Sequence, residues 1–202
     1  MATVTRRDTS KRAAVEASVL AATEALLAEG RSFAELPVEE IARRAGMSRP
    51  AFYFYFRDKS DLLMRLTEEV AEHLEAAAQA WWGEAERAGL RPALEGFLRI
   101  YRDHGVLLRA VVETSAYDPA VAEFWRAVVD RFVEGNRRTF VAEQAEGRMT
   151  SFPLRETAFA LAWMTERACY QRLVRDEDVL DQDFVTALAG IWERSLYGGL
   201  TA

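Results

Sequence analysis

The chain has 202 residues, half of them hydrophobic and 29% charged, which is enough to bury a sizeable core in one large domain or two small ones. That composition excludes a disordered chain and a disulfide-stapled mini-protein. The net charge of −6 is spread unevenly: residues 1–60 carry ten Lys/Arg against eight Asp/Glu, and residues 61–202 carry 16 against 24. A weakly basic N-terminal segment therefore precedes an acidic body, an asymmetry that fits a basic binding module fused to a larger partner.

No apolar run approaches the ~18–20 residues of a membrane span, and the stretch Met1–Lys11 has no apolar core of a secretory signal. A single cysteine, Cys169, cannot close an internal disulfide, so a reducing, cytoplasmic setting is expected, with no membrane partner. Glycine and proline are sparse while Ala, Leu, Glu and Arg abound. The expected fold class is all-α.

Helical periods and stop signals give about nine helices. The first runs from about Ser10 to Glu29, with Val15, Val19, Ala22 and Leu26 on one stripe and Gly30 ending it. Pro37 opens a very short second helix, Val38–Ala45, closed by Gly46. Ser48 caps a third that begins at Arg49–Pro50, where proline is tolerated because its N–H has no intrahelical partner. Asp58 caps a long fourth helix with the stripe Leu62, Leu66, Val70, Leu74, continuing to Trp82. Pro92 opens a fifth, a short sixth spans about Gly105–Ser115, and Asp118–Pro119 start a seventh that reaches Glu146. The eighth covers about Leu154–Arg175 and the ninth Asp181–Tyr197. A seam is expected in Gly83–Gly89 or inside the fourth helix, and the expected functional domains are 1–60 and 61–202.

The second and third helices, joined by a short turn containing a glycine, match a helix-turn-helix, whose second helix lies in the DNA major groove. Ile41 and Ala42 can pack inward against Phe52 and Phe56. The third helix then projects Ser48, Arg49, Pro50, Ala51, Tyr53, Phe54 and Tyr55, which include donors for phosphate oxygens and base edges. Lys59 and the free N–H groups at the start of the fourth helix form a phosphate-attracting terminus. The plainer alternative is that the run FYFYF is simply core.

The stretches VEEIARRAG (38–46) and MSRPAFYFYF (47–56), followed by Lys59 and Leu62, strongly resemble the TetR family of bacterial transcriptional regulators. Met164–Arg167, Ile191–Trp192 and Leu196–Gly198 extend the resemblance towards the C-terminus and to a mycobacterial branch of the family. It implies an N-terminal three-helix DNA-binding domain followed by a larger helical ligand-binding and dimerisation domain. It further implies that Ser48, Arg49, Pro50, Ala51 and Phe54 approach bases of double-stranded operator DNA, while Tyr53, Tyr55 and Lys59 hold phosphates. Many family members carry histidine where Tyr55 stands. Arg6, Arg7, Lys11 and Arg12 form either a basic arm or a solvated terminus.

In the acidic body, Leu90, Leu94, Phe97 and Tyr101 make one apolar stripe, and Val121, Trp125, Val129, Phe132 and Asn136 another. Glu166 lies on an apolar face with Ala162, Trp163, Cys169 and Tyr170. Each stripe alone reads equally as core. With the family resemblance, they imply a cavity for an apolar small-molecule effector, lined also by Trp192 and oriented by Asn136, Thr165 and Glu166. Glu166 could instead pair with an arginine of a neighbouring helix, and Cys169 be a small buried hydrophobe. The last two helices resemble the pair that forms the family's homodimer interface, Phe184, Leu188, Ile191 and Leu196 supplying an apolar face.

No phosphate loop, HExxH, nucleophile elbow or paired-cysteine spacing is present, so no enzyme, cofactor or metal is expected. His73 and His104 stand too far apart in sequence to suggest a metal. The expectation is a repressor released by its ligand. The alternative keeps the fold without DNA binding, as a small-molecule carrier or adaptor.

Overall fold

The structure, a computed structural model, describes residues 3–83, 87–174 and 182–198. The described residues form nine α-helices: α1 Thr3–Ala28, α2 Val38–Arg44, α3 Arg49–Tyr55, α4 Lys59–Trp82, α5 Arg87–Asp103, α6 Gly105–Ser115, α7 Pro119–Ala145, α8 Leu154–Cys169 and α9 Gln182–Tyr197. None is long and apolar enough to cross a membrane.

Local signals set most boundaries. At the end of α2, Gly46 adopts φ +73°, Met47 N–H donates to the Ala42 carbonyl and Gly46 N–H to that of Arg43. This pair of bonds satisfies carbonyls that the helix end leaves open and turns the chain towards α3. The Ser48 side chain accepts from Ala51 N–H and that of Asp58 from Asp61 N–H, fixing the starts of α3 and α4. Asp118 accepts from the N–H groups of Ala120 and Val121 at the start of α7.

Three helices depart from their expected limits. The backbone of α1 starts seven residues earlier than Ser10. Pro92 lies inside α5 rather than opening it, because the first turn of α5 is held by close packing on α4: a Cβ on Gly89 would come within 2.5 Å of the Ala80 carbonyl oxygen. α8 does not run on to Arg175; it passes at Tyr170 into a π-helical turn, Tyr170–Val174. Residues 175–181, which include the expected end of the eighth helix and start of the ninth, lie outside the described residues.

α4 is the central beam. Its buried stripe Leu62, Leu66, Val70, Leu74 packs along α5 and α7, and α7 packs on α8. α9 lies against α5, and the carbonyl of its Leu196 accepts from both the N–H and the hydroxyl of Thr150. One continuous core runs from the α1–α3 cluster into the larger helical body.

Candidate DNA-reading face and ligand cavity

Phe52 and Phe56 are buried with ring centroids 5.1 Å apart, and Ile41 and Ala42 of α2 are buried with them. Two of the five aromatics in the run are therefore core and the other three are not. Phe54 is 78% exposed and Tyr53 44%, so α3 presents an aromatic face beside exposed Ser48, Arg49 and Pro50. Ala51 and Tyr55 are half-buried.

The Arg49 guanidinium sits 5.7 Å over the Tyr53 ring and 2.5 Å from the Glu39 carboxylate. The Tyr53 hydroxyl first, and then the Glu39 charge, hold Arg49 above its ordinary arginine range. Arg12 pairs with Glu16, whereas the side chains of Arg6, Arg7 and Lys11 lie outside the described residues.

Lys59 is placed differently from the expectation. Its ammonium donates to the carbonyls of Phe33 (2.7 Å), Ala34 (2.8 Å) and Leu36 (3.2 Å). An ammonium has three N–H donors, and all three are taken by the short 3-10 turn Phe33–Glu35 and its C-cap. The side chain therefore braces the α1–α2 connection instead of reaching outward for a phosphate. Partial burial lowers its pKa.

The start of α4 is also tied to the body. Ser60 donates its hydroxyl to the Asp118 carboxylate over 2.5 Å. That bond, ahead of the backbone N–H groups of α7, holds Asp118 below the usual carboxylate range.

Behind this junction, α4, α5, α7, α8 and α9 enclose a cavity of about 60 Å³. α5 contributes Leu90, Leu94, Phe97 and Tyr101; α7 contributes Trp125, Val129, Phe132 and Asn136; α8 contributes Ala162, Thr165 and Glu166; α9 contributes Trp192. Cys169 and Tyr170, expected among them, are buried but do not line it. Each lies beyond the turn of α8 that faces the cavity, where the helix passes into the π turn. Burial pushes the Cys169 thiol well above its ordinary range, with the Glu166 charge adding to the shift.

Sequence reasoning missed the α4 wall, Leu74, Ala78, Trp81 and Trp82, together with Ala93 and Val128. The signal was present: the α4 stripe that ends at Leu74 continues at the same spacing to Ala78 and the tryptophan pair.

Three polar side chains face this apolar space. Asn136 accepts from the Trp82 indole at 2.9 Å, and Thr165 from the Trp192 indole at 2.9 Å. Trp82 can lie against α7 only because position 135 is glycine: a Cβ there would fall 2.4 Å from its ring. Glu166 is the exception. Its side chain is 3% exposed and neither oxygen has a hydrogen-bond partner. Its nearest cation is Arg167, adjacent on the same helix and 3.5 Å away with its head half in solvent, rather than an arginine of a neighbouring helix. Burial raises the carboxyl pKa, partly offset by Arg167 and by the Trp125 indole.

His73 and His104, distant in sequence, come together with ring centroids 6.1 Å apart, and His104 Nδ1 lies 3.8 Å from Glu24. No group of three or more metal-ligating side chains occurs among the described residues.

Two family models divide the chain. Residues 19–66 match the model of bacterial regulatory proteins of the tetR family, and residues 90–198 match that of the C-terminal domain of the transcriptional regulator EthR. The chain is 30% identical over 191 residues to the HTH-type transcriptional regulator EthR of Mycolicibacterium smegmatis, covering 92% of this chain and 87% of that protein. Identity to EthR of Mycobacterium tuberculosis is also 30%, covering 91% and 87%.

Among solved structures, a TetR-family transcriptional regulator from Rhodococcus sp. superposes with a TM-score of 0.72 at 20% identity, over 90% of this chain and 97% of that one. One from Syntrophomonas wolfei superposes with a TM-score of 0.74 at 14% identity, over 96% and 98%. The relatives are regulators rather than enzymes. The chain belongs to the TetR family of bacterial transcriptional regulators, in the branch that shares the EthR C-terminal domain.

Proposed function

We propose that the protein is a dimeric repressor that leaves its operator when a largely apolar small molecule opens the cavity behind α4. The observation that carries the reading is the path between the two sites. α4 begins at the helix-turn-helix, is fixed there through Lys59 and Ser60, and ends as the Trp81–Trp82 wall of the cavity. A ligand that displaces this wall moves the helix on which α1–α3 are mounted. Only such a difference in affinity between two conformations can shift an equilibrium.

Residues 1–60 serve as the DNA-binding domain and residues 61–202 as the ligand-binding and dimerisation domain. Ser48, Arg49, Pro50, Ala51 and Phe54 meet bases in the major groove, and Tyr53 and Tyr55 meet phosphates. One helix-turn-helix reads few base pairs, so two protomers read an inverted repeat. The dimer forms through α8 and α9, where Phe159 and Ile191 are 53% and 39% exposed. The family membership speaks against a carrier that does not bind DNA.

Selection of genomic fragments by the purified protein tests this reading. The expected result is one enriched inverted repeat, bound by two protomers with affinity that falls steeply with salt. Arg49→Ala is expected to cost ~1–3 kcal/mol of operator affinity and to relax preference at one position. Binding that ignores sequence, or no binding, overturns the proposal.

A further inference from the structure

Polar satisfaction in the cavity is selective. The neutral side chains Asn136 and Thr165 each accept an indole N–H, yet both Glu166 oxygens are left without a donor. The indole N–H of Trp125, another lining residue, lies near enough to favour the charged carboxylate but outside hydrogen-bond geometry. Buried polar atoms are normally paired, and an exception inside a cavity marks a place where a ligand group completes the set. Among the described residues the one ion pair of Glu166 is a loose one: Arg167 stands at 3.5 Å without hydrogen-bond geometry, half in solvent, and turns its guanidinium over the Tyr170 ring. The rest of the wall is aromatic, including Phe97, Tyr101 and Phe132, whose ring faces attract cations.

We infer that the effector of this protein is an amphiphilic amine, whose ammonium donates to the Glu166 carboxylate while its apolar body occupies the aromatic cavity. The inference rests on the reading of this cavity as the effector site and specifies the polar end of that effector. An acceptor-only group meets neutral and anionic ligands poorly: an alcohol supplies one uncharged donor, and a carboxylate repels it. A hydrogen bond to a charged partner in such a setting is the strong kind. Burial raises the Glu166 carboxyl pKa in the empty cavity, and an ammonium beside it opposes that shift by favouring the charged form.

The test is calorimetric titration of the full-length protein at about pH 7.5 with octylamine, 1-octanol and octanoate, repeated with Glu166→Gln. The expected order in the wild type is amine over alcohol by about tenfold or more, with octanoate weakest. Glu166→Gln is expected to remove the preference for the amine and to leave alcohol affinity within about threefold, the retained alcohol binding showing that the cavity is intact. If the alcohol or octanoate binds the wild type as tightly as the amine, or if Glu166→Gln keeps the preference, the ammonium assignment falls while the apolar-effector reading stands. If none of the three binds up to its solubility, the cavity is a packing feature and both readings fall.

Discussion

Trp82 at the end of α4 donates its indole N–H to Asn136 in the middle of α7 across 2.9 Å, and lies against the bare backbone of Gly135 to do so. The bond joins the helix that carries the DNA-reading unit to the far wall of the cavity. Asn136→Ala removes the acceptor and widens the space beside it. The expected cost is about 1 kcal/mol, or about 2–4 °C in the melting temperature for a chain of this size. Affinity for an apolar probe is expected to rise at the same time. Scanning calorimetry together with a probe titration checks both, and an unchanged melting point with unchanged probe affinity would show that the bond does not hold the wall.

Lys59 separates two physical roles. Had its ammonium neutralised a phosphate, its removal would lower the salt slope of operator binding by about one. Because three carbonyls occupy it, Lys59→Met is expected to weaken operator binding and lower thermal stability while leaving the salt slope unchanged. Operator titrations across a range of salt concentrations decide the matter.

Glu166 sets a pH-dependent stability whose sign is fixed by burial. Its carboxyl is harder to ionise in the folded protein than in the unfolded chain, so the folded state binds the proton more tightly. The wild type therefore loses this contribution as pH rises from the ordinary carboxylate range through the raised folded value. Glutamine cannot ionise. The expected melting-temperature advantage of Glu166→Gln is close to zero near about pH 4, grows as pH rises, and then levels off. A difference that shrinks with rising pH would contradict the assignment.

Ala162 is buried on the α8 side of the cavity. Ala162→Trp is expected to fill the space, either mimicking or excluding the ligand, and so to change operator affinity or abolish the response to apolar ligands. The dimer is expected to survive, which light scattering can follow. Wild-type operator affinity with an unaltered ligand response would place the effector elsewhere.

The parts of the molecule legible in sequence are those governed by short-range rules. Ser48, Asp58 and Asp118 announce their helix starts because a side chain three residues or fewer away supplies the missing acceptor. The stripes of α5 and α7 announce their buried faces by period alone. Lys59 was not legible in this way, since its partners lie 23 to 26 residues earlier and a lysine beside a helix terminus has two physically reasonable uses. The approach of His73 to His104 likewise depends on how α4 meets α6. Pro92 misled for a different reason: a proline is an ordinary start signal, but the packing of Gly89 on Ala80 outweighs it. Cys169 and Tyr170 share the face of Glu166 by spacing, yet spacing does not say where along that face a cavity ends.

The volume of the cavity bears on how effectors for this protein are found. At about 60 Å³ it has room for a few waters, whereas sites for drug-sized molecules run to roughly 300–1,000 Å³. On the proposed reading of this cavity, a drug-sized effector has to displace Trp82 or its neighbours, and its measured affinity is then its intrinsic affinity scaled by the fraction of molecules already open. A compound search ranked by fit to the closed shape would favour fragments too small to move α4 and discard the molecules able to act. Libraries are better screened against a variant biased towards the open form. Gly135→Ala is the natural choice, because its new methyl occupies the ground on which Trp82 now rests.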